Sequence, residues 1–133
     1  MATIHKEIPV NADPQAVWAA VRDVGAAHHR LFPGLVADVQ MDEGARTVTF
    51  ANGLVLRELI VTVDDANRRI VYASVGGNAA HHNASIQVFD ETPGGARVSW
   101  ITDFLPDALA PTIGGLVEQG SALMKRTLES GKA

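Results

Sequence analysis

Turn signals cut the stretch from Leu35 to Leu105 at short, regular intervals, and that punctuation constrains the fold more than any other feature of the chain. Residues 39–41 and 48–50 flank Asp42-Glu43-Gly44. Asn52-Gly53, whose two residues tolerate positive φ, reads as a tight hairpin joining residues 46–51 directly to a long strand at 54–63. Asp64-Asp65-Ala66-Asn67 makes the next turn, before a strand at 69–75. Gly76-Gly77-Asn78 precedes a strand at 84–89, and Thr92-Pro93-Gly94-Gly95 precedes one at 96–104. Connections this short cannot cross from one end of a sheet to the other, so the strands form an antiparallel meander.

Before the meander, Ile4, Lys6, Ile8 and Val10 alternate with His5, Glu7 and Pro9, the pattern of one further strand. Asp13 is a good helix N-cap, and Pro14 fits the first helical position, where no amide hydrogen is needed. Val17, Trp18 and Val21 give that helix an apolar face through Asp23, and Gly25 ends it. Residues 26–32 read as a second short helix, stopped by Pro33-Gly34. After Pro106-Asp107, a long helix extends toward Gly131. Ile113, Leu116, Val117, Gly120, Met124 and Leu128 recur on one side of it, while Glu118, Lys125 and Glu129 face away. The expected class is therefore α+β: seven antiparallel strands, two short helices after the first, and a long C-terminal helix covering one sheet face.

Composition limits the chemistry. The 133 residues read as a single domain over 1–133, with 47% apolar and 20% charged residues. A chain of this length buries roughly two-thirds of its unfolded surface and needs no staples. There is no cysteine, which excludes disulfides, thiolate metal sites and a cysteine nucleophile. The net charge of −4, without a Lys/Arg cluster, argues against nucleic acid as a partner. Neither a signal core nor a membrane-length apolar run is present, so the expectation is a cytoplasmic monomer or small homo-oligomer with no membrane partner. No phosphate loop, dinucleotide fingerprint or nucleophile elbow occurs, and no cofactor is implied.

This order of elements, together with its local sequence, resembles the START-like or SRPBCC superfamily. The residues carrying the likeness run from Asn11 to Trp18 with Val21-Arg22-Asp23, then Arg57-Glu58-Leu59 before Asp64-Asp65, Arg68 to Tyr72, and Val98-Ser99-Trp100 with Phe104. The superfamily includes the major birch pollen allergen, lipid-transfer domains and bacterial polyketide cyclases. The resemblance implies a helix-grip fold, in which a bent sheet wraps the C-terminal helix and leaves an internal cavity. One scaffold of this kind serves carriers, receptors and enzymes, so it does not fix the chemistry.

The residues offered to such a cavity are Arg57, Glu58, Tyr72 and Trp100 from the strands and His82 from the loop before residues 84–89, with Ile113, Val117, Gly120 and Met124 from the helix. Arg57 and Glu58 are adjacent on a strand and face opposite ways. Apolar residues flank both, so alternation does not choose the inner one. Arg57 would anchor a carboxylate and Glu58 would serve as acid or base, while a cross-strand surface ion pair is the plainer alternative. Tyr72 would offer a hydroxyl and Trp100 a flat wall, unless both simply fill core volume. Gly114, Gly115 and Gly120 weaken the helix, either to leave space above the sheet or to allow close packing. His28-His29 and His81-His82 fall at expected loops or element ends. One from each pair, meeting near Asn83 or Asp23, would make an acid–base site. Adjacent histidines in extended chain diverge, so no metal site is expected.

Three functions compete. The first is binding of a small hydrophobic or aromatic ligand in the internal cavity. The second is a polyketide cyclase/aromatase-like enzyme promoting aldol cyclisation and dehydration there, with Tyr72, Glu58 and His82 as candidate catalytic groups. The third is a protein-interaction module using the convex sheet face, which would need an exposed apolar patch.

Overall fold

The computed structural model describes residues 2–131. Strand β1 (Ala2–Val10) leads into α1 (Pro14–Arg22), a 3-10 turn (Val24–Ala26) and the short α2 (Ala27–Arg30). The meander follows as β2 (Val36–Asp42), β3 (Ala45–Phe50), β4 (Val55–Asp64), β5 (Arg69–Val75), β6 (His81–Glu91) and β7 (Gly95–Leu105). A second 3-10 turn (Asp107–Leu109) precedes α3 (Ala110–Glu129). The strands form one seven-stranded antiparallel sheet in the order β1-β7-β6-β5-β4-β3-β2. This is an α+β helix-grip architecture, with α3 held against the concave face.

Local chemistry explains the start of the chain. Asp13 caps α1 by accepting from the Gln15 backbone N–H at 3.1 Å. The Trp18 indole N–H donates to Asp65 at 3.0 Å, and Arg22 bonds the same carboxylate at 2.8 Å. Those contacts tie α1 to the turn between β4 and β5. The segment expected as one helix at 26–32 is instead the 3-10 turn followed by a four-residue α2.

Two differences from the sequence reading position the site. The hairpin at Asn52-Gly53 forms, but Phe50 N–H bonds Leu54 C=O at 2.8 Å, so three residues rather than two make the connection. The longer connection moves the register by one residue and sets Arg46 opposite Glu58. Strand β6 also begins at His81 rather than Ala84, because β7 pairs with it along its whole length, from Leu105 opposite His81 to Gly95 opposite Glu91. His81 and His82 are therefore strand residues with opposite orientations.

The core lies between the concave face and the helices. Ile86, Val98 and Phe104 of the sheet are buried with Val17 and Val21 of α1 and Val117, Met124 and Leu128 of α3. A Cβ at Gly120 would lie 3.0 and 3.1 Å from Trp100 ring carbons and 3.3 Å from Phe32. Gly120 therefore permits close helix–sheet approach; it does not open space. Gly115 is exposed, and a Cβ there would meet nothing within 4 Å. Gly115→Ala is accordingly expected to stabilise the fold by about 1 kcal/mol through helix propensity. Gly120→Ala is expected to destabilise it despite the same propensity gain, because a packed indole must move. Urea denaturation of both variants checks this; a rise in both midpoints would refute the packing argument.

The outer face of β4 and β5 exposes Val55, Leu59 and Val75, crossed by an ion pair between Arg57 and Asp42. No helix among the described residues is long and apolar enough to cross a membrane.

Candidate ligand cavity

Alternate positions on five strands present side chains to the concave face. Arg46 and Val48 come from β3, Leu56 and Glu58 from β4, Tyr72 from β5, His82 from β6, and Trp100 and Thr102 from β7. Ile113, Leu116 and Val117 of α3 face them, and Phe32, Leu35 and Phe50 add to the lining. Between these walls is a mostly apolar cavity of about 90 Å³. A single buried water needs only about 10–15 Å³, so the space exceeds what hydration of one polar group requires.

The polar groups in the wall form three sets. In the first, Arg46 and Glu58 make a buried ion pair, with Nε and the second terminal nitrogen of Arg46 at 2.9 and 2.8 Å from one carboxylate oxygen. The remaining terminal nitrogen of Arg46 donates to Val24 C=O at 2.8 Å, anchoring the pair to the helical segment. The other Glu58 oxygen has only the Ser74 hydroxyl, at 3.5 Å. Both residues are less than one-tenth exposed, so each charge depends on the other for compensation.

The second set is Tyr72 with Trp100. The Arg46 guanidinium sits 5.0 Å from the centre of the Tyr72 ring. Burial, reinforced by the nearby Glu58 charge, pushes the Tyr72 hydroxyl well above the usual phenol range, so it remains a proton donor. The Trp100 N–H approaches that hydroxyl without meeting hydrogen-bond geometry, and it is buried with no acceptor. A buried donor left this way costs about 1–3 kcal/mol.

The third set runs along β6 and β7. His82 Nε2 lies 3.0 Å from the Thr102 hydroxyl, which itself donates to Asn83 C=O at 3.0 Å. Thr102 has one hydroxyl hydrogen, so His82 Nε2 carries the proton and Nδ1 is the free acceptor. Burial, with a smaller contribution from His81, lowers the His82 pKa below its ordinary value, and the ring is neutral at pH 7.

Of the sequence candidates, Glu58, Tyr72, His82, Trp100, Ile113 and Val117 thus line the same cavity. Three others do not. Arg57 faces outward and pairs bidentately with Asp42 at 2.8 and 3.1 Å, because the β3–β4 register turns Glu58 inward. Gly120 packs against Trp100, and Met124 is fully enclosed in the core. The two histidine pairs do not share the cavity: His28 and His29 lie against each other in α2, 3.9 Å between ring centres with the rings tilted by 36°, and neither lines the cavity. Arg46 was not anticipated. Its signal is an arginine in phase with Val48 and Phe50, two residues that line the cavity with it.

A family model described as "Polyketide cyclase / dehydrase and lipid transport" matches residues 1–131. No curated protein matches the chain. Among solved structures, XoxI from Bacillus cereus is similar with a TM-score of 0.88 at 16% identity, over 100% of this chain and 99% of that one. A protein from Thermobifida fusca gives 0.76 at 21% identity, over 99% and 93%. Truncated norcoclaurine synthase from Thalictrum flavum gives 0.72 at 20% identity, over 96% and 94%. At such identities the structural likeness establishes the fold alone. The family match over nearly the whole length goes further: this chain belongs to the polyketide cyclase/dehydrase and lipid transport family of the SRPBCC superfamily.

Proposed function

We propose that this protein binds a small, largely apolar or aromatic molecule in the cavity between its sheet and α3. The observation that carries the reading is the cavity itself: about 90 Å³, mainly apolar, with a few fixed polar groups. That combination is the usual make-up of a small-molecule site. A polyketide cyclase/aromatase-like activity is the second reading, favoured by Glu58, Tyr72 and His82 sharing one wall. In that reading the Tyr72 phenol polarises a carbonyl and the neutral His82 accepts a proton.

Titration with fluorobenzene, followed by fluorine NMR, tests the binding reading. Saturable uptake near one molecule per chain is expected, together with a rise in thermal midpoint at saturating probe. Non-saturating uptake by the folded protein would overturn it.

A further inference from the structure

We infer that the cavity selects neutral molecules bearing a carbonyl-type acceptor oxygen, received by the Trp100 N–H and the Tyr72 O–H. This deepens the binding reading above and rests on it. Trp100 is only 8% exposed, lines the cavity, and its indole nitrogen has no acceptor. An indole nitrogen can only donate, so what it lacks is an acceptor. The Tyr72 hydroxyl stands beside it as a second donor, also on a residue 8% exposed. Two donors side by side in an apolar wall describe a receptor for one oxygen atom.

The rest of the cavity argues for neutrality. Arg46 is already bound to Glu58 and to Val24 C=O, so it is committed elsewhere and does not serve as a carboxylate anchor. An anionic ligand would meet the Glu58 carboxylate, and a cationic one would meet Arg46. The pair carries no net charge, so it offers no uncompensated charge to attract a ligand of either sign. The ring or chain behind the ligand oxygen would lie against Val48, Leu116 and Val117.

Three probes of similar size separate the possibilities: acetophenone, ethylbenzene and benzoate. For the unmodified protein, calorimetric titration is expected to give acetophenone at least tenfold tighter than ethylbenzene and at least tenfold tighter than benzoate. The carbonyl stretch of bound acetophenone should move to lower frequency than in hydrocarbon solvent, which directly reports donation to its oxygen. Trp100→Phe and Tyr72→Phe should each weaken acetophenone about tenfold and leave ethylbenzene within twofold. Equal binding of acetophenone and ethylbenzene, with an unshifted carbonyl, would overturn the inference and leave the cavity's binding role standing. Tighter binding of benzoate would overturn the neutrality. Failure of all three probes, and of fluorobenzene, would overturn the binding role along with the inference. The infrared measurement needs no variant, so it decides the matter even where Trp100→Phe fails to fold.

Discussion

Arg46→Ala and Glu58→Ala are each expected to lower stability by about 3–5 kcal/mol in chemical denaturation, while Arg46→Met with Glu58→Leu returns most of that loss. The asymmetry follows from burial. The two side chains are 7% and 9% exposed, and they compensate each other across 2.8 Å. Truncating one leaves its partner charged in an apolar wall; replacing both removes the two desolvation penalties together. A fold of this kind has about 5–15 kcal/mol of total stability, so either single variant will be near the edge of folding. Arg57→Ala provides the contrast, because its pair with Asp42 is about half exposed on both sides and solvent takes over when it is lost. Its denaturation midpoint should remain close to that of the unmodified protein. A cost for Arg46→Ala no larger than that for Arg57→Ala would mean water reaches the pair.

The same pair shows how far the sequence can be read. The order of elements was legible because its signals are local: Asp13 with Pro14, the glycine and asparagine turns, the apolar spacing of α3. Facing was not legible on β4. Val55, Leu59 and Val61 are exposed while Leu56 and Ile60 turn inward, so apolar residues occupy both faces and alternation carries no sign. The register with β3 decided it, and that register depends on a three-residue connection where Asn-Gly favours two. A two-residue turn would have placed Leu59 opposite Arg46. The start of β6 was set three residues late for a related reason: a polar run reads as loop, and only the full-length partnership with β7 extends β6 through His81 and His82. The facing of β4 and the start of β6 both depend on how strands pair, which local propensity does not encode.

Filling the hollow should abolish binding without unfolding the protein. Val117 on α3 and Val48 on β3 are both buried in its wall, from opposite sides. Val117→Phe and Val48→Phe each direct a ring into empty space, so each is expected to weaken fluorobenzene binding at least a hundredfold, about 2.7 kcal/mol. Enlarging a residue in a tight core normally costs about 1–3 kcal/mol through strain. Here the added atoms gain contacts that an unfilled cavity forgoes, and complete filling of about 90 Å³ would return on the order of 2 kcal/mol. Stability within about 1 kcal/mol of the unmodified protein is therefore expected for both variants. Val98→Phe is the control, since Val98 is fully buried in the core and does not line the cavity. It should show the ordinary penalty of overpacking while the probe still binds. Were the two cavity variants to bind fluorobenzene as the unmodified protein does, the molecule would have to be held elsewhere, and the grip of the sheet on α3 would enclose structure alone.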